Sequence, residues 1–229
     1  MARQPLQLAL GIRTWGGRRR GAGRKPTGYR RSPPHRRRAT HDPRCPAHVT
    51  LRARRGLPSL REDAIFSAVR RAFAAASHNG FRLLQYSVQS DHLHLLVEAD
   101  EPTRLSRGVQ GLAIRVARAI NRVLCRHGHV WGGRFHAHTL HTPREVRNAL
   151  VYVLNNCRKH LRALVGMDPR SSAAWFDGWE TTTAVPAQDA AVVAARTWLA
   201  RIGWRRQGLL KIDEAPGGRR RSRVPATRR

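Results

Sequence analysis

Two histidines and one distant tyrosine are the residues of this sequence whose types and spacing could support phosphodiester chemistry. His92 and His94 lie two positions apart in residues 90–98, whose alternating apolar residues predict a β-strand. Side chains two positions apart in a strand project from one face, so the two imidazoles would lie side by side and could bind a divalent metal ion. The Tyr152 hydroxyl could then attack a phosphorus atom polarised by that ion. This combination indicates DNA strand cleavage.

The helix predicted to carry Tyr152 offers a third candidate ligand. Tyr152 lies beside the apolar stripe of that helix, and Asn156 follows it by one turn. The carboxamide oxygen of Asn156 would therefore lie near the phenol. Two imidazoles and one amide oxygen leave coordination positions for water and phosphate oxygens, as a catalytic Mg²⁺ or Mn²⁺ requires. Attack by Tyr152 would leave a phosphotyrosine link and a free hydroxyl end.

Other histidine pairs compete for the metal. His-x-His occurs three times, and only the pair at His92 leads into a hydrophobic strand. His127 and His129 flank a glycine and are expected at the surface. The third pair, at residues 136 and 138, could contact DNA phosphate or solvent.

The remaining tyrosines are weaker candidates for the nucleophile. Tyr29 lies in a basic N-terminal segment, and Tyr86 lies within a predicted strand, where packing explains it. Tyr152 is preferred by position. The candidate DNA contacts are basic residues near the proposed site, namely Arg134, Arg144, Arg147, Arg158 and Lys159.

The charge of the chain indicates a nucleic acid as its partner. The 229 residues include 44 Lys and Arg against 14 Asp and Glu, which gives a net charge of +30. A polyanion would relieve the resulting repulsion. No apolar run reaches the roughly 20 residues that span a bilayer, so no membrane partner is expected. We expect a soluble cytoplasmic protein associated with the nucleoid, with its three cysteines reduced.

Strand and helix periods alternate along the chain. Strand-like alternation is found in residues 48–52, 81–88, 92–98 and 134–140, and helical stripes are found in residues 59–79, 103–127 and 143–164. The order β-α-β-β-α-β, followed by a further helix, predicts an α+β fold, a ferredoxin-like antiparallel sheet with helices on one face.

Local signals mark two of the helix starts. Ser59 is predicted to be the N-cap of the first helix, with Glu62 completing a capping box. Thr142 is predicted to cap the third helix with Glu145, and Pro143 suits a first helical position. A last amphipathic helix is predicted over residues 187–202.

Composition divides the chain into four regions. Residues 1–45 are rich in Arg, Gly and Pro and predict a disordered basic arm. Residues 46–165 form the predicted catalytic domain, and residues 166–216 a loop and the C-terminal helix. Residues 217–229 form a second basic tail.

Three segments of the sequence resemble those of a known protein family. They are the His-Leu-His strand, the segment Trp131-Gly132-Gly133-Arg134-Phe135 and the helix that continues Tyr152-Val153-Leu154-Asn155-Asn156. They look like the IS200-like single-tyrosine HUH transposases of bacterial insertion sequences, in particular those associated with repetitive extragenic palindromes. The resemblance implies a ferredoxin-like domain that recognises a DNA hairpin and cleaves single-stranded DNA beside it with a divalent metal.

The resemblance also assigns roles by position. His92 and His94 correspond to the metal-binding histidines, Tyr152 to the nucleophile and Asn156 to the ligand borne by the helix. The chain departs from the family pattern before His92, where Ser90-Asp91 replaces the common Pro-Asn, and after Asn156, where Cys-Arg-Lys replaces Pro-Val-Arg-Ala. An active transposase and a host-retained relative both fit these departures.

A noncatalytic nucleic-acid-binding protein is the alternative from another functional class. Many RNA-binding proteins combine a ferredoxin-like sheet with basic arms, although the aromatic RRM signature is absent here. The expected partner of a transposase is single-stranded or hairpin DNA. The sequence leaves open whether it acts as a homodimer or a monomer.

Overall fold

The computed structural model describes residues 40–157, 166–181 and 190–216. Its main elements are β1 Ala47–Arg52, α1 Asp63–Ala74, β2 Phe81–Val88, β3 His92–Ala99, α2 Pro102–Val123, β4 His136–Thr139 and α3 Pro143–Leu154. A short helix, α4 Trp198–Arg201, lies between the 3₁₀ turns Ala173–Trp175 and Gly203–Gln207. The strands form an antiparallel sheet in the order β2-β3-β1-β4. The predicted α+β class and element order are confirmed.

The register of the sheet puts polar residues of three strands on one face. Thr50 of β1 lies opposite His94 of β3, and His48 of β1 lies opposite His138 of β4. Directly opposed residues of an antiparallel pair project to the same face. We call this surface the histidine face, and its members are His48, Thr50, His92, His94, His136 and His138.

Helices α1 and α2 cover the other, apolar face of the sheet. Their predicted stripes are buried, with Ile65, Val69 and Phe73 on α1 and Leu105, Val109, Leu112, Val116 and Ile120 on α2. Each such side chain contributes about 1.5 to 3 kcal/mol when fully buried. Gly108 allows a close approach, because a Cβ there would lie 2.2 Å from the Phe81 ring.

Helix α3 packs on the histidine face. Its apolar residues form a second core with Leu84 of β2, Leu96 of β3 and Trp204 of the C-terminal segment. This packing brings Tyr152 over the sheet, beside the histidines.

One predicted helix start is confirmed and the other is wrong. Thr142 Oγ1 accepts a hydrogen bond from the Glu145 backbone N–H at 3.2 Å, and the Glu145 carboxylate accepts one from the Thr142 N–H. Helix α1, by contrast, begins at Asp63 after Glu62, without a side-chain cap. Ser59 lies in a turn before the helix, because Leu60 is fully buried and its N–H bonds to the Ser90 carbonyl at 2.9 Å.

The last predicted helix is much shorter than expected. Residues 190–197 are not helical, and α4 spans only Trp198–Arg201. The reason is that backbone donors of this stretch bond to the sheet. The Val193 N–H donates to the Leu83 carbonyl at 3.0 Å, and the Thr197 N–H donates to the buried Glu98 carboxylate at 2.9 Å.

Helix α3 also ends earlier than predicted. Asn155 is its C-cap, and the Asn155 side-chain amide donates to the backbone carbonyls of Lys211 at 3.1 Å and Glu214 at 2.9 Å. The predicted continuation over residues 158–164 lies outside the described residues, as do nearly all of the predicted basic arm and the basic tail. In the described part of the chain, no helix is long and apolar enough to cross a membrane.

Candidate active site

Strand β3 holds His92 and His94 side by side. Their ring centroids are 4.6 Å apart, with the ring planes at 84°. His94 is buried, with 4% of its surface exposed, whereas His92 is half-buried. The period of the strand thus places the two imidazoles together on the histidine face, as the sequence predicts.

Tyr152 of α3 lies edge-on against this pair. Its ring centroid is 4.9 Å from that of His94 and 5.6 Å from that of His48. Tyr152 is half-buried, so its ring is held by packing while part of the side chain still reaches solvent. The structure therefore brings the predicted nucleophile to the predicted metal-binding histidines.

His48 and Thr50 are site residues that the sequence reasoning missed. His48 Nε2 lies 3.2 Å from His94 Nδ1, and Thr50 Oγ1 lies 3.3 Å from the same nitrogen. The signal was present in the alternation of residues 48–52, which puts His48 and Thr50 on one face of β1. Only the pairing of β1 with β3 shows that this face carries His94.

The environment of His48 favours its neutral form. Burial, with a smaller contribution from the charges of His136 and His138, lowers the pKa of His48 to about 4. A neutral imidazole can accept a hydrogen bond at Nε2. His94 Nδ1 can then donate to His48 Nε2 or to Thr50 Oγ1, which assigns Nε2 of His94 as the nitrogen that would bind a metal.

Asp91 is the partner of His92 at its Nδ1, as His48 and Thr50 are for His94. Asp91 Oδ1 lies 2.6 Å from His92 Nδ1, and Asp91 Oδ2 accepts a hydrogen bond from Arg52 Nη2 at 3.0 Å. The hydrogen bond with His92, assisted by that with Arg52, lowers the pKa of the Asp91 carboxyl. A carboxylate on the second ring nitrogen is a common support for a metal-binding histidine.

Asn156 supplies a buried amide with no hydrogen-bond partner among the described residues. The side chain is 1% exposed, and neither Oδ1 nor Nδ2 has a partner. An unsatisfied buried polar group costs about 1 to 3 kcal/mol, which a bound cation at Oδ1 would partly offset. Asn156 directly follows Asn155, the C-cap of α3.

The predicted ligands offer imidazole nitrogens and one amide oxygen as donors. Among the described residues, no three His, Cys, Asp or Glu side chains form a metal-binding cluster. A cation at the histidine pair would therefore need a further ligand of another type. Carbonyl oxygens are typical ligands of Mg²⁺ and Mn²⁺, and imidazole nitrogens are typical ligands of transition metals.

The predicted DNA contacts differ in their surroundings. Arg134, just before β4, and Arg144, in the first turn of α3, are exposed. Arg147 instead bonds to the Glu214 carboxylate at 2.7 and 2.9 Å and to the carbonyls of Gly208 and Leu209. These bonds use four of the five guanidinium N–H donors and join Arg147 to the C-terminal segment. Arg158 and Lys159 lie outside the described residues.

The other candidate tyrosines and His-x-His pairs lie in different environments. Tyr86 is fully buried, and this burial strongly raises the pKa of its phenol. Tyr29 lies outside the described residues. The pair at residues 127 and 129 is exposed after α2, whereas His136 and His138 are exposed on the histidine face beside His48.

Comparison with known proteins adds two findings. A family model described as "Transposase IS200 like" matches residues 44–156, a range that includes β1, the histidine pair, Tyr152 and Asn156. The solved structure of a REP-associated tyrosine transposase bound to a REP hairpin has a similar fold, with a TM-score of 0.50 at 18% sequence identity. The similarity covers 60% of this chain and 81% of that one. No curated protein sequence matches this chain.

Proposed function

Residues 44–156 of this chain belong to the IS200-like transposase family, and we propose that the protein cleaves and rejoins single-stranded DNA beside a hairpin. Transposases of this kind are enzymes that act on DNA, and the net charge of +30 suits that substrate. The proposal of DNA cleavage and rejoining rests on the contact between the Tyr152 and His94 rings, whose centroids are 4.9 Å apart.

Tyr152 is the proposed nucleophile. Its Oη forms a bond to a phosphorus atom of the DNA, and the bond from that phosphorus to the leaving deoxyribose oxygen breaks. The phenol loses one proton to solvent, and the leaving oxygen gains one to become a free hydroxyl. Attack of a DNA hydroxyl on the phosphotyrosine reverses these changes, so the energy of the broken bond is retained for rejoining.

His92, His94 and Asn156 are the proposed ligands of a divalent cation, Mg²⁺ or Mn²⁺. When bound, the cation would polarise the phosphodiester and orient its oxygens. His48 and Thr50 orient His94 through its Nδ1, and Asp91 orients His92 through its Nδ1. These three residues act through the histidines and are positioning residues.

The proposed substrate is single-stranded or hairpin DNA. The related tyrosine transposase bound to a REP hairpin supports the choice of hairpin. Arg134 and Arg144 are exposed and are the proposed phosphate contacts, together with Arg158 and Lys159. The proposal holds for a monomer and for a homodimer, and it implies a cytoplasmic protein associated with the nucleoid.

The test is formation of a covalent protein-DNA adduct. Purified protein is mixed with labelled single-stranded hairpin DNA and Mn²⁺, and adducts that survive denaturation are compared between wild type and Tyr152→Phe. Tyr86→Phe is the matched control, because the buried Tyr86 hydroxyl has no hydrogen-bond partner among the described residues. We expect adducts in wild type and Tyr86→Phe and none in Tyr152→Phe.

Two outcomes would contradict the proposal. An adduct formed by Tyr152→Phe would remove Tyr152 as the nucleophile. Binding without any adduct, across several hairpins and metals, would favour a noncatalytic DNA-binding protein.

A further inference from the structure

Four arginines line a groove on the helical side of the domain. The groove lies between α1 and α2, has a volume of about 330 Å³, and is lined by Arg71 of α1 and Arg115, Arg118 and Arg122 of α2. All four side chains are exposed. Small residues, among them Ala72 of α1, also line the groove.

No negative charge of the described residues neutralises these arginines. The ion pairs of the described chain use other arginines. Helix α2 contains no acidic residue, and the one acidic residue of α1, Asp63, pairs with Arg170. Four unpaired cations around one groove create a positive potential that attracts a polyanion.

The spacing of the arginines suits a series of phosphates. Arg115, Arg118 and Arg122 recur at intervals of three and four, so they form one row along α2. At a rise of 1.5 Å per residue the row is about 10 Å long. One strand of duplex DNA carries a phosphate about every 3.4 Å along the helix axis, so the row spans about three phosphates.

The groove is on the opposite side of the sheet from Tyr152. Helices α1 and α2 pack on the apolar face, whereas α3 packs on the histidine face. A phosphate in the groove therefore belongs to a different stretch of DNA from the phosphate at Tyr152.

We propose that the groove formed by Arg71, Arg115, Arg118 and Arg122 is a second DNA-binding site, which holds the phosphodiester backbone away from the point of cleavage. It gives affinity without reading sequence, because its donors are guanidinium groups directed at phosphates. The inference rests on DNA being the substrate of the protein. It does not require the chemistry of Tyr152.

The test is the salt dependence of DNA binding by the full chain. The variant Arg115→Glu/Arg118→Glu is compared with the control Arg104→Glu/Arg107→Glu, which makes the same change of charge on exposed residues of the same helix. Affinity for a fluorescent single-stranded oligonucleotide and for a hairpin duplex is measured over a range of KCl, with a chelator present to prevent cleavage.

We expect the groove variant to lower the slope of log K against log salt by about 1.4 on single strands or about 1.8 on the duplex, for two lost phosphate contacts. The DNA form whose slope falls by its own expected amount is the form that occupies the groove. The control should change the slope by less than half as much. Equal slopes for the groove variant and the control would overturn the proposal and leave an acidic protein as the partner of the groove.

A second groove variant guards against misfolding caused by charge reversal. Arg115→Gln/Arg118→Gln deletes the charges without reversing them and should lower the slopes by a similar amount. Adduct formation by wild type is measured in parallel. If wild type forms the adduct but the groove variants bind DNA like the control, the proposed function stands and the second DNA-binding site is excluded. If the groove variants show the expected change but wild type forms no adduct, the DNA-binding site stands and the proposed cleavage is excluded.

Discussion

His48 Nε2 lies 3.2 Å from His94 Nδ1, in a contact that joins β1 to the histidine pair of β3. Thr50 Oγ1 lies 3.3 Å from the same nitrogen, so two residues of β1 meet one ring atom. A partner on one ring nitrogen sets which tautomer and which orientation the other nitrogen presents. The position of His94 beneath Tyr152 therefore depends on a strand that contributes no proposed metal ligand.

We predict that His48→Ala weakens metal binding without removing a ligand. Loss of such a support lowers metal affinity by about 10- to 100-fold. The measurement is Mn²⁺ titration by electron paramagnetic resonance in the absence of DNA. His138→Ala is the control, because His138 lies opposite His48 on β4 but is exposed. Affinities equal to wild type in both variants would show that His94 needs no support from His48.

Asn156→Leu should change stability and metal affinity in opposite directions. The Asn156 amide is buried without a hydrogen-bond partner among the described residues, so an apolar side chain of similar shape should leave the metal-free protein as stable or more stable. Loss of the proposed oxygen ligand should weaken Mn²⁺ binding. Urea unfolding with a chelator and Mn²⁺ titration measure the two effects. Unchanged Mn²⁺ affinity would show that Asn156 is not a ligand.

Arg144 and Arg147 lie on the same helix and should behave differently. Arg144→Ala should weaken DNA binding and lower the salt slope by about 0.7 on single strands, with little effect on stability. Arg147→Ala should cost roughly 1.5 to 3 kcal/mol of folding free energy, because it breaks the charged hydrogen bonds to Glu214. Salt-dependent binding and urea unfolding of both variants test this. A loss of DNA binding in Arg147→Ala at unchanged stability would instead support the prediction that Arg147 contacts DNA.

His41 should make the fold less stable in mild acid. Its Nε2 lies 3.1 Å from the Ala99 carbonyl oxygen, and its buried Nδ1 has no partner among the described residues. Burial lowers the pKa of His41 below the ordinary value of 6.5, against the opposing effects of the Ala99 hydrogen bond and Asp42. The unfolded state therefore takes up the proton at a higher pH than the folded state.

The contribution of His41 is present above pH 6.5 and is lost as the pH falls through the lowered pKa. One such proton changes stability by at most about 1.4 kcal/mol per pH unit. Urea unfolding at pH 7.5 and 5.5 should show a smaller loss in His41→Gln than in wild type. Part of the loss should remain, because the pKa of His48 is also lowered. An identical loss in both proteins would exclude His41 as a source.

The sequence alone determined the features that depend on near neighbours. The capping box of Thr142 and Glu145 joins residues three positions apart, and the strand period puts His92 and His94 on one face. The stripes of α1 and α2 are likewise set by helical spacing. These interactions recur whenever the local conformation forms, so the order of residues is enough to predict them.

The tertiary structure decided the features that depend on distant segments. His48 lies beside His94 across 46 positions and only in one strand register, and Arg147 bonds to Glu214 across 67 positions. The helix predicted over 187–202 is not formed at residues 190–197, because the backbone donors of Val193 and Thr197 bond to the Leu83 carbonyl and the buried Glu98 carboxylate. Periodicity describes one element at a time, whereas these contacts form only when distant segments pack together and supply hydrogen-bond partners for each other's polar groups.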